Sequence, residues 1–185
     1  MVENKFYLSF GRHERYGVDT PIERSDMLAA YLSGLRLKEC LPACKTVYHS
    51  PLARAVTTAH FEALGMGCTH ILETDAIEES APTFVIRRFI NNLLVNTDED
   101  VHYYHFVTHL PVVEKLGLPF LGAGEICLLV ADNKAEMLKE NFTLQVIKKP
   151  EIPIELWQSL DLTAARISQL TTDEIYKKLE LFSDK

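Results

Sequence analysis

Residues 46 to 65 read TVYHSPLARAVTTAHFEALG, a short β-branched and aromatic segment followed at once by a helical pattern. This pattern predicts a strand over 46–50 and a helix over 52–65, which Gly65 would close. Arg54 falls in the first turn of this helix, where backbone N–H groups and the helix dipole favour a bound anion. The segment therefore predicts a βα unit with an anion-binding end.

Similar units are predicted on both sides of this segment. Short apolar runs alternate with helical patterns, which is typical of helices packed around a mostly parallel sheet. Further strands are predicted at 6–10, 69–74, 102–109 and 125–132, with a hairpin or edge strand at 141–149. Further helices are predicted at 24–35, capped by Ser25 or Asp26, at 81–96 with Pro82 near its first turn, and twice after residue 152, the last capped by Thr171 or Thr172. We expect an α/β fold, a three-layer sandwich with a central sheet flanked by helices.

The domain organisation expected from this pattern is simple. Residues 1–150 would form the α/β domain, and residues 151–185 a helical extension packed on the same domain. At 185 residues the chain is long enough to bury a substantial core.

Composition excludes several classes of protein. A net charge of −7 argues against a nucleic-acid surface, because phosphate backbones are bound chiefly by clustered Lys and Arg. No apolar run is long enough to cross a membrane, and the N-terminal residues do not resemble a secretory signal, so we expect a cytoplasmic protein. Four cysteines, without the paired spacing of zinc sites, are expected to be buried or idle thiols: Cys40, Cys44, Cys68 and Cys127.

Charged and histidine side chains recur where the predicted strands end. Arg12 and His13 follow the first strand, Arg54 the second, Glu79 the third, and His109 the fourth. The carboxyl ends of neighbouring parallel strands meet in one crevice, so these five side chains are expected to converge. The sequence therefore predicts a site with two histidines, two arginines and a carboxylate.

Four motifs resemble those of the histidine phosphatase superfamily, whose fold is phosphoglycerate-mutase-like. Arg12 and His13 match its R-H-G motif, and SPLARAVTTA at 50–59 matches S-P-L-x-R-A-x-x-T-A, the most specific element. His109 in VTHLPVV matches the second histidine, and DAIEE at 75–79 matches D-x-L-x-E. The resemblance extends from about residue 6 to 132 and is strongest to the short branch of bacterial phosphohistidine phosphatases.

The resemblance implies a phosphatase that works through a phosphohistidine intermediate. His13 would attack phosphorus, Arg12 and Arg54 would bind the phosphate oxygens, and His109 would add a further donor. Glu79 would be the general acid and base, with Glu78 as a lesser candidate. No step requires a metal or an organic cofactor. The substrate would be a phosphorylated small molecule or a phosphoprotein carrying phosphohistidine, and inorganic phosphate would be a product.

Two departures from the family pattern leave other functions open. Glu14 stands where the family has glycine, and the segment from Val18 to Met27 is shorter than its counterpart. A carboxylate there would repel phosphate unless it is turned away or paired, and Arg15 or Arg12 would be its partner. The alternative is a catalytically impaired family member that binds a phospho-ligand or a partner. A third hypothesis is that the C-terminal helices form a surface on which a partner docks.

Overall fold

The computed structural model describes residues 5–14, 23–160 and 170–183. The strands are β1 (Phe6–Arg12), β2 (Val47–His49), β3 (Ile71–Glu73), β4 (Tyr103–Thr108), β5 (Ile126–Ala131) and β6 (Thr143–Ile147). The helices described are α1 (Arg24–Cys40), α2 (Ala53–Met66), α3 (Thr83–Asn96), α4 (Leu110–Lys115), α5 (Lys134–Leu138), α6 (Ile154–Ser159) and α7 (Thr172–Ser183), with a 3-10 turn at Asp75–Ile77. The predicted strands and helices are thus confirmed in type, with shifts at their ends.

The six strands form one sheet in the order β3-β2-β4-β1-β5-β6. The first four strands of this order run parallel, whereas β5 and β6 are antiparallel to their neighbours. The expected mostly parallel sheet is confirmed, and β6 is the edge strand predicted over 141–149. Because β1 lies between β4 and β5, its carboxyl end is near the middle of the sheet.

Alternate residues of β1 face the two helical layers. Phe6, Leu8 and Phe10 pack into an apolar cluster with residues of α3, α4 and α5. Tyr7 packs on the other side of the sheet, in a cluster with residues of α1 and α2. This alternation has the period of two that a strand buried on both faces requires. The three-layer sandwich is confirmed.

Helices α1 and α2 cross at two glycines. A Cβ atom on Gly34 would come within 2.1 Å of the Glu62 carbonyl oxygen, and one on Gly65 within 2.2 Å of the Tyr31 carbonyl oxygen. Gly65 therefore lies inside α2 and permits close packing, and the expectation that it closes the helix is wrong. Gly67, in the left-handed region at φ 68°, closes α2 instead.

The two predicted caps have different outcomes. Helix α1 begins at Arg24 after Glu23, so the expectation of Ser25 or Asp26 as its cap is wrong. Asp26 lies in the first turn, and its carboxylate accepts a hydrogen bond from Lys149. At α7 the expected threonine cap is confirmed, because Thr171 Oγ1 accepts from the backbone N–H of Glu174 at 3.3 Å.

The C-terminal helices pack on α1 and α2. Leu156, Leu160, Ile175 and Leu179 share an apolar cluster with residues of those two helices, among them Phe61. These contacts support the expected packing of the extension, and the division of the chain at residue 150 stays a prediction. Across the part of the chain that the structure describes, no helix is both long and apolar enough to span a bilayer.

Replacing Gly34 by Ala is expected to destabilise the protein by roughly 3 kcal/mol, because backbone atoms cannot move aside as a side chain can. The exposed residue Ser25 of the same helix provides the control, and Ser25→Ala should change stability by less than about 0.5 kcal/mol. Urea unfolding followed by circular dichroism measures both. Equal stability of Gly34→Ala and Ser25→Ala would contradict the close helix crossing.

Candidate active site

Strand register brings the two predicted histidines together. Arg12 at the end of β1 pairs with Thr108 at the end of β4. His13 and His109 directly follow these two residues, so they lie side by side where the two strands end. The backbone N–H of His13 donates to the Thr108 carbonyl oxygen at 3.0 Å, which extends the pairing by one residue. The imidazole centroids are 4.9 Å apart, and the two residues are only 5% and 1% exposed.

Arg54 joins the histidines to the predicted acid. Its Nε donates a hydrogen bond to His13 Nε2 at 3.2 Å, and its Nη2 donates to Glu79 Oε2 at 2.8 Å. A guanidinium only donates, so His13 Nε2 must be the acceptor and carry the lone pair. This assigns the proton of neutral His13 to Nδ1 and leaves Nε2 as the nucleophilic atom.

His109 is oriented by Ser50, which lies between β2 and α2. His109 Nε2 is 2.7 Å from Ser50 Oγ, while Nδ1 is 3.4 Å from Arg54 Nη2. Because Arg54 must donate to Nδ1, neutral His109 carries its proton on Nε2 and donates it to Ser50. The ring therefore presents Nδ1 toward Arg54 and Glu79, whose Oε2 is 3.9 Å away.

Arg12 is anchored to the loop that precedes β5. Its Nη1 donates to the Leu121 carbonyl oxygen at 2.6 Å, and its guanidinium carbon is 5.9 Å from the centre of the Phe120 ring. Arg12 is also buried, and His13 follows it directly at the end of β1.

Glu79 lies on a loop that is fixed at its backbone. Lys115 Nζ donates to the carbonyl oxygens of Glu79 at 2.9 Å and Ala81 at 2.8 Å. The neighbouring Glu78 is directed elsewhere, since its carboxylate accepts hydrogen bonds from Ser80. Glu79 is therefore the carboxylate that reaches Arg54, and its side chain is 46% exposed.

Glu14 is buried against the chain segment before β5. A Cβ atom on Gly124 would lie 2.3 Å from Glu14 Oε2, so the carboxylate occupies the space that a side chain at residue 124 would need. Lys149 Nζ lies 2.6 Å from Glu14 Oε2 and 2.6 Å from Asp26 Oδ1. The expected partner of Glu14 was Arg15 or Arg12. Arg15 lies outside the described residues, and Arg12 bonds Leu121, so the partner found is Lys149.

Within residues 5–14, 23–160 and 170–183, no group of three or more His, Cys, Asp or Glu side chains is placed to hold a metal ion.

No protein-family model matches the chain, and no curated protein matches it in sequence. Solved structures do match. The SixA protein of Nakamurella multipartitia, described as a phosphohistidine phosphatase, superposes with a TM-score of 0.62 at 18% identity, covering 80% of this chain and 98% of its own. This chain has the histidine phosphatase fold.

Two further structures with the histidine phosphatase fold are similar to the chain. A protein histidine phosphatase SixA complexed with tungstate matches at 16% identity, with a TM-score of 0.63 and coverage of 78% of this chain and 97% of its own. A phosphoglycerate mutase from Plasmodium falciparum matches at 15% identity, with a TM-score of 0.54 and coverage of 81% and 95%. The expected phosphoglycerate-mutase-like fold is confirmed.

The histidine phosphatase fold brings the predicted site residues to one edge of the sheet. Arg54 contacts His13, His109 and Glu79 directly, while Arg12 lies beside His13. Sequence reasoning did not assign roles to three supporting groups, namely Ser50, Lys115 and Lys149. Ser50 is the first residue of the SPLARAVTTA motif, so its position in the sequence could have indicated a role at the site. The two lysines are distant in sequence, and no pattern around them indicated their contacts.

Glu14 has an altered acidity in this environment. Burial raises the pKa of its carboxyl group from 4.5 to about 7, although Lys149 lowers it in part. The folded protein therefore binds this proton more tightly than the unfolded chain does. Between about pH 4.5 and 7, the contribution of Glu14 to stability falls as the pH rises.

The Glu14→Gln variant is expected to lose this pH dependence. Relative to the variant, the unmodified protein should lose on the order of 3 kcal/mol of unfolding free energy between pH 4.5 and pH 8. Urea unfolding at a series of pH values measures the difference, and carboxylates common to both proteins cancel. Parallel profiles for the two proteins would contradict the raised pKa.

The contact between Glu14 and Gly124 is expected to appear in a double-mutant cycle. Gly124→Ala should cost roughly 3 kcal/mol, since φ is +74° and the new methyl group would collide with the carboxylate. In a Glu14→Gly background only the conformational cost of about 1 kcal/mol should remain. Gly117 has the same φ of +74° with no atom within 4 Å of its Cβ position, so Gly117→Ala isolates that cost. Additive effects at residues 14 and 124 would contradict the contact.

Proposed function

We propose that the protein is a phosphatase that transfers a phosphoryl group to His13 Nε2 and then to water. The observation that carries this proposal is the hydrogen bond of 3.2 Å from Arg54 Nε to His13 Nε2. It keeps a lone pair on the reactive nitrogen and places a fork of phosphate-binding donors beside it. His109 and Glu79 contact the same guanidinium, so nucleophile, anion-binding groups and acid share one site.

In the first step, the Nε2 lone pair forms a bond to phosphorus while the bond to the leaving group breaks. Arg54 exchanges its contact with the Glu79 carboxylate for phosphate oxygens, and Arg12 binds further phosphate oxygens. These cations stabilise the charge that spreads over the equatorial oxygens. Glu79, freed from Arg54, takes up a proton from solvent and delivers it to the leaving atom as the bond to phosphorus breaks.

In the second step, water attacks phosphorus and the N–P bond breaks, which returns the electron pair to His13. The Glu79 carboxylate accepts the proton of the attacking water, so the acid of the first step becomes the base of the second. Inorganic phosphate leaves. Side chains perform every proton transfer, and we therefore include independence from cofactors in the proposal.

We propose a protein phosphohistidine or a phosphomonoester as the substrate. The two SixA structures support the first, because those proteins are described as phosphohistidine or protein histidine phosphatases. The 46% exposure of Glu79 supports a leaving group that stays at the protein surface, as the histidine of a phosphoprotein would. The composition supports a cytoplasmic location, which is part of the same proposal.

A second candidate is a protein that binds phosphate without turning it over. The observation that favours it is the burial of Glu14 directly after His13, with a carboxyl group that ionises near pH 7. A negative charge there would oppose the approach of a phosphoryl group. The pairing of Glu14 with Lys149 reduces this repulsion, and for that reason we favour the enzyme.

Intact-protein mass spectrometry after incubation with acetyl phosphate tests the proposal. The unmodified protein should gain one phosphoryl group, and His13→Ala should gain none. Glu79→Gln should retain the adduct and turn over an aryl phosphate about 100-fold or more slowly, since the water lacks its base. The matched control is Glu78→Gln, which changes the neighbouring carboxylate and should behave as the unmodified protein does.

Two other outcomes would decide against the enzyme. An adduct in Glu14→Gly but not in the unmodified protein would mean that Glu14 has silenced the site, and the binding function would then hold. Absence of any adduct, together with no heat of binding for inorganic phosphate or vanadate by calorimetry, would overturn both candidates.

A further inference from the structure

Two cysteines lie side by side at the end of the sheet opposite the active site. Cys44 is three residues before Val47 on β2, and Cys68 is three residues before Ile71 on β3. Val47 and Ile71 are partners in the parallel pairing of those strands. Neighbouring strands are about 4.8 Å apart, within the range of Cα separations that a disulfide spans.

The two side chains also interact. The pKa of each thiol is shifted by the other, and both residues pack against one apolar cluster formed by α1, α2 and the sheet. Cys44 Sγ lies 3.4 Å from the Thr46 carbonyl oxygen, and Cys68 Sγ lies 3.5 Å from that of His70. Neither thiol is bonded covalently, and both side chains are half-buried.

This interaction makes the thiols chemically unequal. The neighbouring Cys44 lowers the pKa of Cys68, whereas the interaction with Cys68 and burial raise the pKa of Cys44. Cys68 is therefore the thiol of the pair that ionises more readily, and the thiolate is the reactive form of cysteine. Cys44 is held as a thiol within reach of it, which is the arrangement of an attacking and a resolving cysteine.

Small molecules can reach both cysteines. Cys68 is half-exposed to solvent, and a cavity of about 380 Å³ opens beside Cys44, with the side chains of Leu41, Met66 and Tyr103 in its wall. Lys38 also lines this cavity and brings a positive charge to its edge. The other two cysteines are placed differently, because Cys40 is exposed on α1 and Cys127 is buried in β5.

We propose that Cys44 and Cys68 are a redox-active pair that closes to a reversible disulfide when a hydroperoxide reacts with Cys68. This site is separate from the proposed phosphatase chemistry and does not depend on it. It also revises the expectation that the cysteines are idle.

The chemistry takes place in two balanced steps. The Cys68 thiolate attacks one oxygen of the hydroperoxide, so that an S–O bond forms, the O–O bond breaks and hydroxide or alkoxide leaves with a proton from solvent. The Cys44 sulfur then attacks Cys68 Sγ, an S–S bond forms, the S–O bond breaks and water leaves. Both sulfurs are oxidised and the peroxide is reduced. A dithiol reductant reverses the reaction by exchange.

Disulfide formation should stabilise the fold and leave the active site unchanged. The bond would tie the segment before β2 to the segment before β3, so it would restrict the unfolded chain. The proposed catalytic residues lie at the opposite, carboxyl ends of the strands. We therefore expect the midpoint of thermal unfolding to rise by at least about 4 °C on oxidation, while phosphate binding and any turnover stay the same.

Peptide mapping after treatment with hydrogen peroxide tests the pair. The unmodified full-length chain should lose about 2 Da and yield a peptide that links Cys44 to Cys68, which dithiothreitol removes. Cys44→Ser should keep a sulfenic acid on Cys68 that dimedone traps, and Cys68→Ser should give no dimedone adduct on Cys44. Cys40→Ser is the control, and it should form the disulfide as the unmodified protein does.

Several results would overturn the proposal. These are oxidation of Cys68 to sulfinic acid without a link to Cys44, a disulfide that uses Cys40, and a linked form with no rise in the unfolding midpoint. Dimedone labelling of Cys44 in Cys68→Ser, at the rate seen for Cys68 in Cys44→Ser, would contradict the assigned roles. Each readout is a mass or an unfolding temperature, so failure of the proposed phosphatase activity would not affect the result.

Discussion

The hydrogen bond between Arg54 and His13 is the contact on which the arrangement of the site depends. It fixes which nitrogen of His13 carries the lone pair, and the same guanidinium holds Glu79 and meets His109. The bond forms only if the first turn of α2 lies against the end of β1. The packing of α2 on the sheet is therefore as important to the site as the residues that compose it.

One face of α2 makes three contacts that hold it in this position. Arg54, Thr58 and Glu62 are spaced four residues apart, so they share a face of the helix. Thr58 Oγ1 accepts a hydrogen bond from the Glu14 backbone, and Glu62 Oε2 is 2.8 Å from His105 Nε2 on β4. The glycine crossing adds close backbone contact between α1 and the part of α2 that carries Glu62 and Gly65. Polar contacts and close packing together thus position Arg54.

Glu14 shows how a departure from a family motif can be accommodated. Glu14 stands where the resembled motif has a glycine after its histidine, and Gly124 supplies the space for the carboxylate on the segment that pairs with Arg12. Lys149, at the end of the edge strand, supplies the countercharge and also binds Asp26 of α1. The unusual carboxylate thereby connects β1, α1 and the antiparallel edge of the sheet.

The sequence by itself determined the α/β class, the βα units and the candidate residues Arg12, His13, Arg54, Glu79 and His109, because hydrophobic periodicity and motif spacing are local properties of the chain. It could not determine that Gly65 packs against α1, because a glycine near a helix end also fits a cap. Nor could it identify Ser50 as the partner of His109, Lys149 as the partner of Glu14, or Cys44 as the neighbour of Cys68. Only the tertiary structure decided these pairs, since they depend on strand register, helix crossing and the burial of charge between segments far apart in sequence.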